Sequence, residues 1–369
     1  MRVAIVAESF LPETNGVSGS VVRVLEHLER RGHRAMVIAA ATGAPETVHG
    51  APVVGLPSVG VPGYHQLRVC LVRQRRMAEL FADFRPDIVH LASPLVLGRT
   101  GARAAADLGL PTVAVFQTDV AGFARHYGVP GTGQRMWTRL EEIHGLADLT
   151  LAPSRYATDL LTAHGIPRIA PWGRGVDRSQ FHPGRRDADL HRTLGDGQVL
   201  VGYAGRLAAE KELHQLAAAT PPGSRLVVIG DGPERAALQR LLPDAVFTGR
   251  LSGAELARHV ATLDVFVHPG RHETFCQGVQ EALACGVPAV VAAGGGVQEL
   301  VSSSRTGWCY RPGDAGELRR AVADLVGDDA KRRAFGRAAA ASVAGRSWAR
   351  LGDELLAHYE YARTRLPIG

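Results

Sequence analysis

The stretch His268–Pro288, HPGRHETFCQGVQEALACGVP, decides how the rest of the chain is organised. It follows three apolar residues, Val265–Val267, passes through a loop punctuated by Gly and Pro, and takes up a helical pattern from about Gln277. A strand, a loop and a helix in this order predict one repeat of an α/β domain.

Two glutamates bracket the start of this helix, Glu273 in the loop and Glu281 in the first turns. The free N–H groups and positive dipole end of a helix N-terminus form an anion site, and a sugar diphosphate is a suitable anion. An ionised carboxylate accepts hydrogen bonds, so we predict that Glu273 holds sugar hydroxyls and Glu281 a ribose. A solvated loop glutamate and an ordinary helix glutamate would give the same pattern, so the flanking sequence must decide.

Short apolar strands recur along both halves of the chain, separated by helical patterns such as that from about Ser18 to Arg31. We predict strands at Arg2–Ser9, Ala35–Ala39, Asp87–Ala92, Thr112–Phe116 and Leu149–Ala152, and again at Val199–Ala204, Arg225–Ile229, Ala245–Phe247, Val265–His268 and Val287–Ala292. Two such series predict two doubly wound domains with parallel sheets, divided near the Gly/Pro-rich stretch Ile169–Pro183. A last helix is predicted over Trp348–Arg365.

The loops that follow the strands are polar or contain glycine. They are Pro12–Ser18, Gln117–Gly122, Gly205–Lys211, Gly230–Pro233 and His268–Gln277. Ligands in open α/β sheets bind outside the carboxyl ends of the strands, so two facing domains predict a cleft lined by these loops.

Two of these loops offer groups for a diphosphate, and a segment after another predicted strand offers groups for a base. Arg206 can act as a bidentate fork and Lys211, one of two lysines among 42 basic residues, as a point charge. Gly16 lets backbone N–H groups approach a phosphate, although the loop is not a GxGxxG motif. Arg206 and Lys211 could instead be ordinary basic residues at the surface, and Gly16 an ordinary glycine in a turn. The need for a tight turn would explain Gly230–Pro233 without a ligand. Backbone groups available to a base edge are those of Gly249, Arg250 and Leu251.

Polar residues also end the fourth strand of the first series. Asp119 is the best placed carboxylate of that half for proton handling or sugar contact, and Gln117 can hydrogen-bond a hydroxyl. A strand-end cap would look the same. His126 and Tyr127 follow on a predicted helix, where a histidine is more often a surface residue than a catalyst.

Length and composition exclude several classes of protein. The chain has 369 residues, enough for two domains, and its net charge of +6 is shared equally by residues 1–170 and the remainder, which argues against a nucleic-acid partner. The sequence contains no uninterrupted apolar run of about 18 residues, so no transmembrane helix is predicted. No signal-peptide cleavage region follows Met1, and the four cysteines show neither metal-ligand spacing nor a disulfide framework, so we expect a protein of the reducing cytosol.

The segment His65–Phe84 is predicted to form one amphipathic helix. Its apolar face carries Leu67, Cys70, Met77, Phe81 and Phe84. On the other face Arg68, Arg75 and Arg76, here called the basic patch, surround Val72. Basic residues around an exposed aliphatic suit an anionic lipid surface, while a solvated helix face would give the same pattern.

The residues around Glu273 and Glu281 resemble the Glu-x7-Glu signature of glycosyltransferase family 4, which has the GT-B fold. GYAGRLAAEK is similar to the family's phosphate-binding segment, and PETNGVSGSV to its N-terminal glycine loop. Within the family, FQTDVAGFARHYGVP, LAPSRYATDLL and WGRGVD are most similar to bacterial GDP-mannose-dependent α-mannosyltransferases that modify membrane glycolipids or phosphatidylinositol-type acceptors. The motifs occur in the family's order over nearly the whole chain.

The resemblance implies a retaining hexosyltransferase that moves mannose from GDP-mannose to a lipid-linked or glycolipid acceptor, with no cofactor or metal. The diphosphate would be bound by Gly16, Arg206 and Lys211. Glu273 and the backbone of Phe275, Cys276 and Gln277 would hold the sugar, and Glu281 the ribose. Many members have a histidine where this chain has Gln117, which cannot titrate, so Asp119 becomes the nearest proton carrier.

The implied domains are an N-terminal Rossmann-like acceptor domain, 1–170, onto which a C-terminal helix, 346–369, packs back, and a C-terminal donor domain, 171–345. A cytoplasmic enzyme is implied, in peripheral contact with the inner face of the plasma membrane. Another nucleotide sugar, a soluble small-molecule acceptor and a nucleotide-sugar epimerase remain open alternatives. The residues do not fix the acceptor, the linkage position, the donor base or the oligomeric state.

Overall fold

The computed structural model describes residues 1–13, 15–40, 43–61, 64–119 and 132–364, with side chains except at 61–68 and 132. The chain divides into two units, Met1–Arg174 with Trp348–Gly369 (unit 1) and Gly175–Ser347 (unit 2). Each unit is built on one large sheet. The predicted positions of His126 and Tyr127 lie outside the described residues.

Unit 1 alternates strands and helices around an eight-stranded sheet ordered β10-β9-β8-β7-β1-β2-β4-β3. Its elements are β1 (Arg2–Ala7), α1 (Gly16–Arg30), β2 (Arg34–Ala39), β3 (Thr47–Val48), β4 (Ala51–Gly55), β5 (Val59–Val61), β6 (Tyr64–Val69), α2 (Gln74–Phe84), β7 (Ile88–Ala92), α3 (Leu97–Asp107), β8 (Thr112–Val115), α4 (Thr132–Leu146), β9 (Leu149–Ala152), α5 (Arg155–Ala163) and β10 (Ile169–Pro171). Only the β3–β4 pair of this sheet is antiparallel among the described strands, and β5 and β6 form a separate hairpin.

Unit 2 carries a six-stranded parallel sheet ordered β13-β12-β11-β14-β15-β16. Its elements are α6 (Ala188–Gly195), β11 (Val199–Ala204), β12 (Ser224–Ile229), α7 (Arg235–Leu241), β13 (Val246–Gly249), α8 (Gly253–Thr262), β14 (Val265–His268), α9 (Gln277–Ala284), β15 (Ala289–Ala292), β16 (Gly307–Tyr310), α10 (Ala315–Gly327) and α11 (Asp329–Ser342). Short 3-10 turns occupy Ala209–Lys211 and Leu213–Ala219.

The strand order reverses between β11 and β14 in unit 2, and between β1 and β7 in unit 1. At such a point the loops after the two neighbouring strands diverge to opposite faces and leave a crevice at the carboxyl edge. In unit 2 the diverging loops begin at Gly205 and Pro269. The topology therefore brings Arg206 and the segment around Glu273 to one edge of the sheet.

The central strands are apolar because both of their faces are covered. β7 and β14 are buried at every residue, and each is apolar except for one histidine, His90 in β7 and His268 at the end of β14. In unit 2 Phe266 packs into one apolar cluster and Val265 and Val267 into the other. Alternate residues of a strand thus fill the two layers, which holds the carboxyl edge rigidly.

The last helix, α12 (Trp348–Thr364), packs against unit 1. The buried Tyr359 hydroxyl lies 2.6 Å from His90 Nδ1, and Asp353 Oδ1 lies 3.1 Å from His27 Nε2. Gly352 lets the helix approach, because a Cβ there would lie 2.3 Å from His27 Cγ. In the described part of the chain, every helix is too short or too polar to cross a bilayer.

The single helix predicted over His65–Phe84 is wrong. Tyr64–Val69 pairs antiparallel with β5, and α2 begins at Gln74. The pairing partner, β5, comes just before this segment in the sequence. The hydrogen bonds between the two strands override the helical periodicity of Tyr64–Val69. The exposed aliphatic is also different: Val72 is partly buried against the core, whereas Leu71 is 83% exposed.

Two further segments differ from the predicted pattern. Ile169–Pro171, predicted as part of an irregular boundary, forms β10 beside β9. Gly307–Tyr310, which the sequence did not predict as a strand, forms the edge strand β16 beside β15. Both are short edge strands, in which few residues carry a period-2 signal.

Candidate active site

Glu273 is the centre of the charged cluster in unit 2. One carboxylate oxygen, Oε1, lies 2.6 Å from Lys211 Nζ and 3.0 Å from His268 Nε2, and the side chain is 12% exposed. Burial alone would raise the pKa of Glu273, but Lys211 and His268 lower it to about 2. Glu273 therefore stays ionised at neutral pH and accepts hydrogen bonds.

His268 was not predicted as a site residue. It ends β14, is buried, and stacks on Tyr203 with ring centroids 5.7 Å apart. Burial lowers the pKa of His268, but the adjoining Cys276 and Glu273 raise it to about 9. The side chain is then a cation, and its place at a strand end beside the strand-order reversal was the signal that could have identified it.

His268, Glu273 and Cys276 each offer a possible metal ligand, with donor atoms within 4.8 Å of one another. Imidazole, carboxylate and thiolate together suit Zn²⁺. The Lys211 ammonium, however, already contacts the same Glu273 oxygen at 2.6 Å. The cluster thus contains its own cation, and the absence of a metal stays a prediction.

Arg206 lies on a loop that the rest of unit 2 holds in place. Its Nη2 donates to the buried Glu210 Oε1 at 3.1 Å, and its carbonyl accepts from the Tyr203 hydroxyl at 3.0 Å. Together with Lys211 it gives the loop two cations, each paired with a buried carboxylate. An incoming diphosphate would compete with those carboxylates for the cations.

The Gly230–Pro233 turn packs directly against the loop that carries Arg206. Gly230 has φ +144°, and a Cβ there would lie 1.9 Å from the Gly205 carbonyl oxygen. The Leu207 N–H donates to the Asp231 carbonyl at 2.9 Å. A Cβ at Gly232 would likewise lie 2.3 Å from the Leu207 carbonyl oxygen, so packing accounts for both glycines of the turn with no ligand needed.

The segment predicted to contact the base runs beside the same turn. The Gly249 carbonyl, at φ +77°, accepts from the Gly230 N–H at 2.9 Å, so that carbonyl is already used. Arg250 is exposed and Leu251 is partly buried. The predicted base contact stays a prediction.

Helix α9 begins at Gln277, close against β11, because Gly278 lets the helix approach the Ala204 carbonyl, from which a Cβ would lie 2.9 Å. The side chains of Phe275 and Cys276 pack inward. Their backbone groups, rather than their side chains, are therefore the parts suited to bind the sugar, as the resemblance implies.

Glu281 lies one turn into α9 and is partly buried. Burial raises the pKa of Glu281 to about 7, although a hydrogen bond from Gln277 acts in the opposite direction. Gln277 Nε2 also donates to the Gly175 carbonyl at 3.0 Å. Glu281 is thus poised to change charge near neutral pH, unlike Glu273.

Unit 1 brings Gly16 and Gln117 together through Arg174. Gly16 is the first residue of α1, and no atom lies within 4 Å of where its Cβ would be. Arg174 Nη1 donates to the Gly16 carbonyl at 2.7 Å and Nη2 to Gln117 Oε1 at 2.6 Å. Asp119 is 1% exposed at the same sheet edge. Arg174 was missed, although WGRGVD was singled out as a motif.

The start of α1 satisfies some of its own donors. Asn15 Oδ1 accepts from the N–H groups of Val17 and Ser18 at 2.9 and 3.0 Å. The N-cap therefore engages two of the N–H groups that would otherwise reach a phosphate. A phosphate would therefore have to approach this loop at Gly16, where the space is open.

Comparison of the sequence with known proteins assigns the chain to a family. The model "Glycosyltransferase Family 4" matches residues 14–180, and "Glycosyl transferases group 1" matches residues 189–342. The chain is 50% identical over 98% of its length to a GDP-mannose-dependent alpha-mannosyltransferase of Mycolicibacterium smegmatis, 97% of which is covered. A relative of the same name from Mycobacterium tuberculosis is 48% identical, with 99% of this chain and 98% of the relative covered. The chain belongs to the family 4 glycosyltransferases.

The fold of this glycosyltransferase matches that of solved relatives. Anabaena Alr3699/HepE in complex with UDP-glucose aligns with a TM-score of 0.80 at 19% identity, over 98% of this chain and 100% of that chain. Sucrose-phosphate synthase from Thermosynechococcus elongatus aligns with a TM-score of 0.79 at 18% identity, over 98% of each chain. The predicted GT-B architecture and the predicted enzyme class are confirmed, while the roles of individual residues stay predictions.

Proposed function

We propose that this glycosyltransferase moves mannose from GDP-mannose to a lipid-linked or glycolipid acceptor, with retention of the α configuration. The observation that carries the reaction class is the ionised Glu273 carboxylate, held by Lys211 and His268 at the strand-order reversal of unit 2. The donor is proposed from the names of relatives that are 50%, 48% and 43% identical. GDP-mannose is itself α-linked, so an α product means retention.

The enzyme would accelerate the reaction mainly by stabilising the negative charge that develops on the leaving diphosphate. The bond between the anomeric carbon and the diphosphate breaks, and a bond from the acceptor oxygen forms on the same face of the sugar. Arg206 and Lys211 would neutralise the departing diphosphate, while Glu273 holds the sugar hydroxyls. Removing one such group costs about 3–4 kcal/mol of transition-state stabilisation. The acceptor proton would pass to Asp119 or to the leaving diphosphate, because the Gln117 amide cannot take it.

A lipid acceptor would require the enzyme to work at a membrane surface, and the basic patch is the proposed contact, with Arg68 in β6 and Arg75 and Arg76 in α2 rather than all three on one helix face. Its Arg75 and Arg76 both lie within 3.3 Å of Glu79, which offsets part of their charge. Leu71, just before α2, and Val59, on β5, add exposed apolar surface. We propose weak, salt-sensitive attraction to anionic lipid as the consequence.

The test incubates the purified chain with GDP-mannose or UDP-glucose, each with and without a lipid extract, and measures released nucleotide and glycosylated lipid. We expect turnover with GDP-mannose and lipid, none in Glu273→Gln, and no loss on adding EDTA. Turnover of UDP-glucose instead would contradict the donor. Transfer to a soluble small molecule would contradict the lipid, and donor conversion without any acceptor would indicate an epimerase.

A further inference from the structure

Arg174 is a buried guanidinium that bridges two predicted site elements of unit 1. It is 8% exposed and donates to the Gly16 carbonyl at 2.7 Å and to Gln117 Oε1 at 2.6 Å. Both distances lie at the short end for N–H···O bonds, as is usual when the donor is charged. A charge this deeply buried is costly unless hydrogen bonds offset its lost hydration, and these two short bonds contribute to that.

The two acceptors come from different parts of the unit. Gly16 begins α1, after β1, whereas Gln117 follows β8, and β7 lies between those two strands in the sheet. A planar guanidinium presents its two Nη groups in fixed directions, so one side chain can span this separation and define it. A lysine, with one nitrogen, cannot hold both acceptors in the same way.

The bridge also determines what Gln117 presents. Because Arg174 donates to Oε1, the oxygen end of the amide faces the guanidinium, and Nε2 is the end that can donate to another group. Gln117 then acts as a hydrogen-bond donor in a defined direction. At Gly16 the carbonyl is held by Arg174, while Asn15 holds the N–H groups of the next two residues, so the turn is fixed on both sides.

We propose that Arg174 is a positioning residue for the transfer reaction, which sets the Gly16 turn and the Gln117 amide in one arrangement. The inference rests on the proposed function of those two groups. It predicts that Arg174 acts through Gln117, so the effects of removing the two side chains are not independent.

A double-mutant cycle tests this dependence, with Arg174→Ala, Gln117→Ala and the double variant compared in kcat. We expect Arg174→Ala to lower turnover roughly 10- to 100-fold, as for a lost charge-assisted hydrogen bond, and the double variant to lose much less than the product of the two single losses. Arg174→Lys should lie between wild type and Arg174→Ala. If Arg174→Ala does not fold, the same cycle is run with Arg174→Lys.

Chemical rescue separates positioning from a general structural role. Millimolar methylguanidinium should restore part of the turnover of Arg174→Ala, and methylammonium should not. Arg178→Ala is the matched control, because Arg178 is exposed on the same stretch of chain, and it should keep wild-type turnover and melting temperature.

Independent, multiplying losses in the cycle, or no difference between the two rescue compounds, would overturn the proposal. All variants are compared on the nucleotide sugar that wild type consumes. A wild type that ignores GDP-mannose would thus contradict the proposed donor while leaving the test of Arg174 valid.

Discussion

Replacing Lys211 by alanine removes the closest partner of a buried carboxylate. The pKa of Glu273 is about 2 rather than 4.5, equivalent to roughly 3 kcal/mol in favour of its ionised form, shared between Lys211 and His268. Leaving that carboxylate short of a partner should lower the free energy of unfolding by about 1–3 kcal/mol. Loss of a cation at the leaving diphosphate should lower turnover by roughly 10²–10³.

The pH dependence of this variant has a definite sign. A lowered carboxyl pKa stabilises the wild type above about pH 4.5, and that stability is lost as the pH falls through about 2. Without Lys211 the pKa of Glu273 rises, because burial remains while one of the two cations that lower the pKa is gone. The stability deficit of Lys211→Ala should therefore be largest near pH 7 and shrink as the pH falls from 4.5 toward 2.

Urea unfolding followed by tryptophan fluorescence, with turnover at saturating donor, measures both effects. Lys331→Ala is the matched control, since Lys331 is the other lysine and pairs with Asp324 at the surface of unit 2. It should keep wild-type turnover. Adding Glu273→Gln to Lys211→Ala should restore stability but not turnover. Wild-type turnover in Lys211→Ala would refute the role of Lys211.

Three further changes test other parts of the structure. In wild type we expect the affinity for GDP-mannose to increase as the pH rises through about 7, the pKa of Glu281, and Glu281→Gln should abolish this pH dependence. Titration calorimetry at several pH values measures the affinity, and a wild-type affinity that does not change with pH would contradict the prediction. Gly230→Ala should lower the melting temperature and, by displacing the Arg206 loop, turnover; Gly145→Ala, which meets no atom within 4 Å, is the control. Changing the basic patch to serine should abolish sedimentation with anionic vesicles at low salt without altering donor binding, and a wild type that ignores such vesicles would contradict the membrane contact.

Much of the architecture could be predicted because it depends on local runs of apolar residues. β11 and β14 begin and end where the sequence predicts, and α9 starts at Gln277. The segments predicted incorrectly are a strand that depends on pairing with its neighbour and short strands at the edges of the sheets. Tyr64–Val69 has a helical pattern but gains its hydrogen bonds by pairing with β5.

The candidate site was only partly predictable, for a related reason. Glu273, Lys211 and Arg206 follow strand ends, so their types and positions indicated anion and sugar binding. His268 and Arg174 depend on side-chain contacts across 5 and 57 residues, to Glu273 and Gln117 respectively, which no spacing rule predicts. The sequence thus indicated Gly16, Gln117 and Glu273, whereas the two cations that contact them, Arg174 and His268, required the structure.

The most direct test of the account is the stereochemistry of the transfer. NMR of the anomeric protons, recorded while the enzyme acts on GDP-mannose with a lipid extract, follows donor and product together. The account predicts an α-mannoside as the first product, appearing as the donor disappears, and no product with Glu273→Gln. A β-mannoside, or an unchanged donor under conditions in which UDP-glucose is consumed, would contradict it.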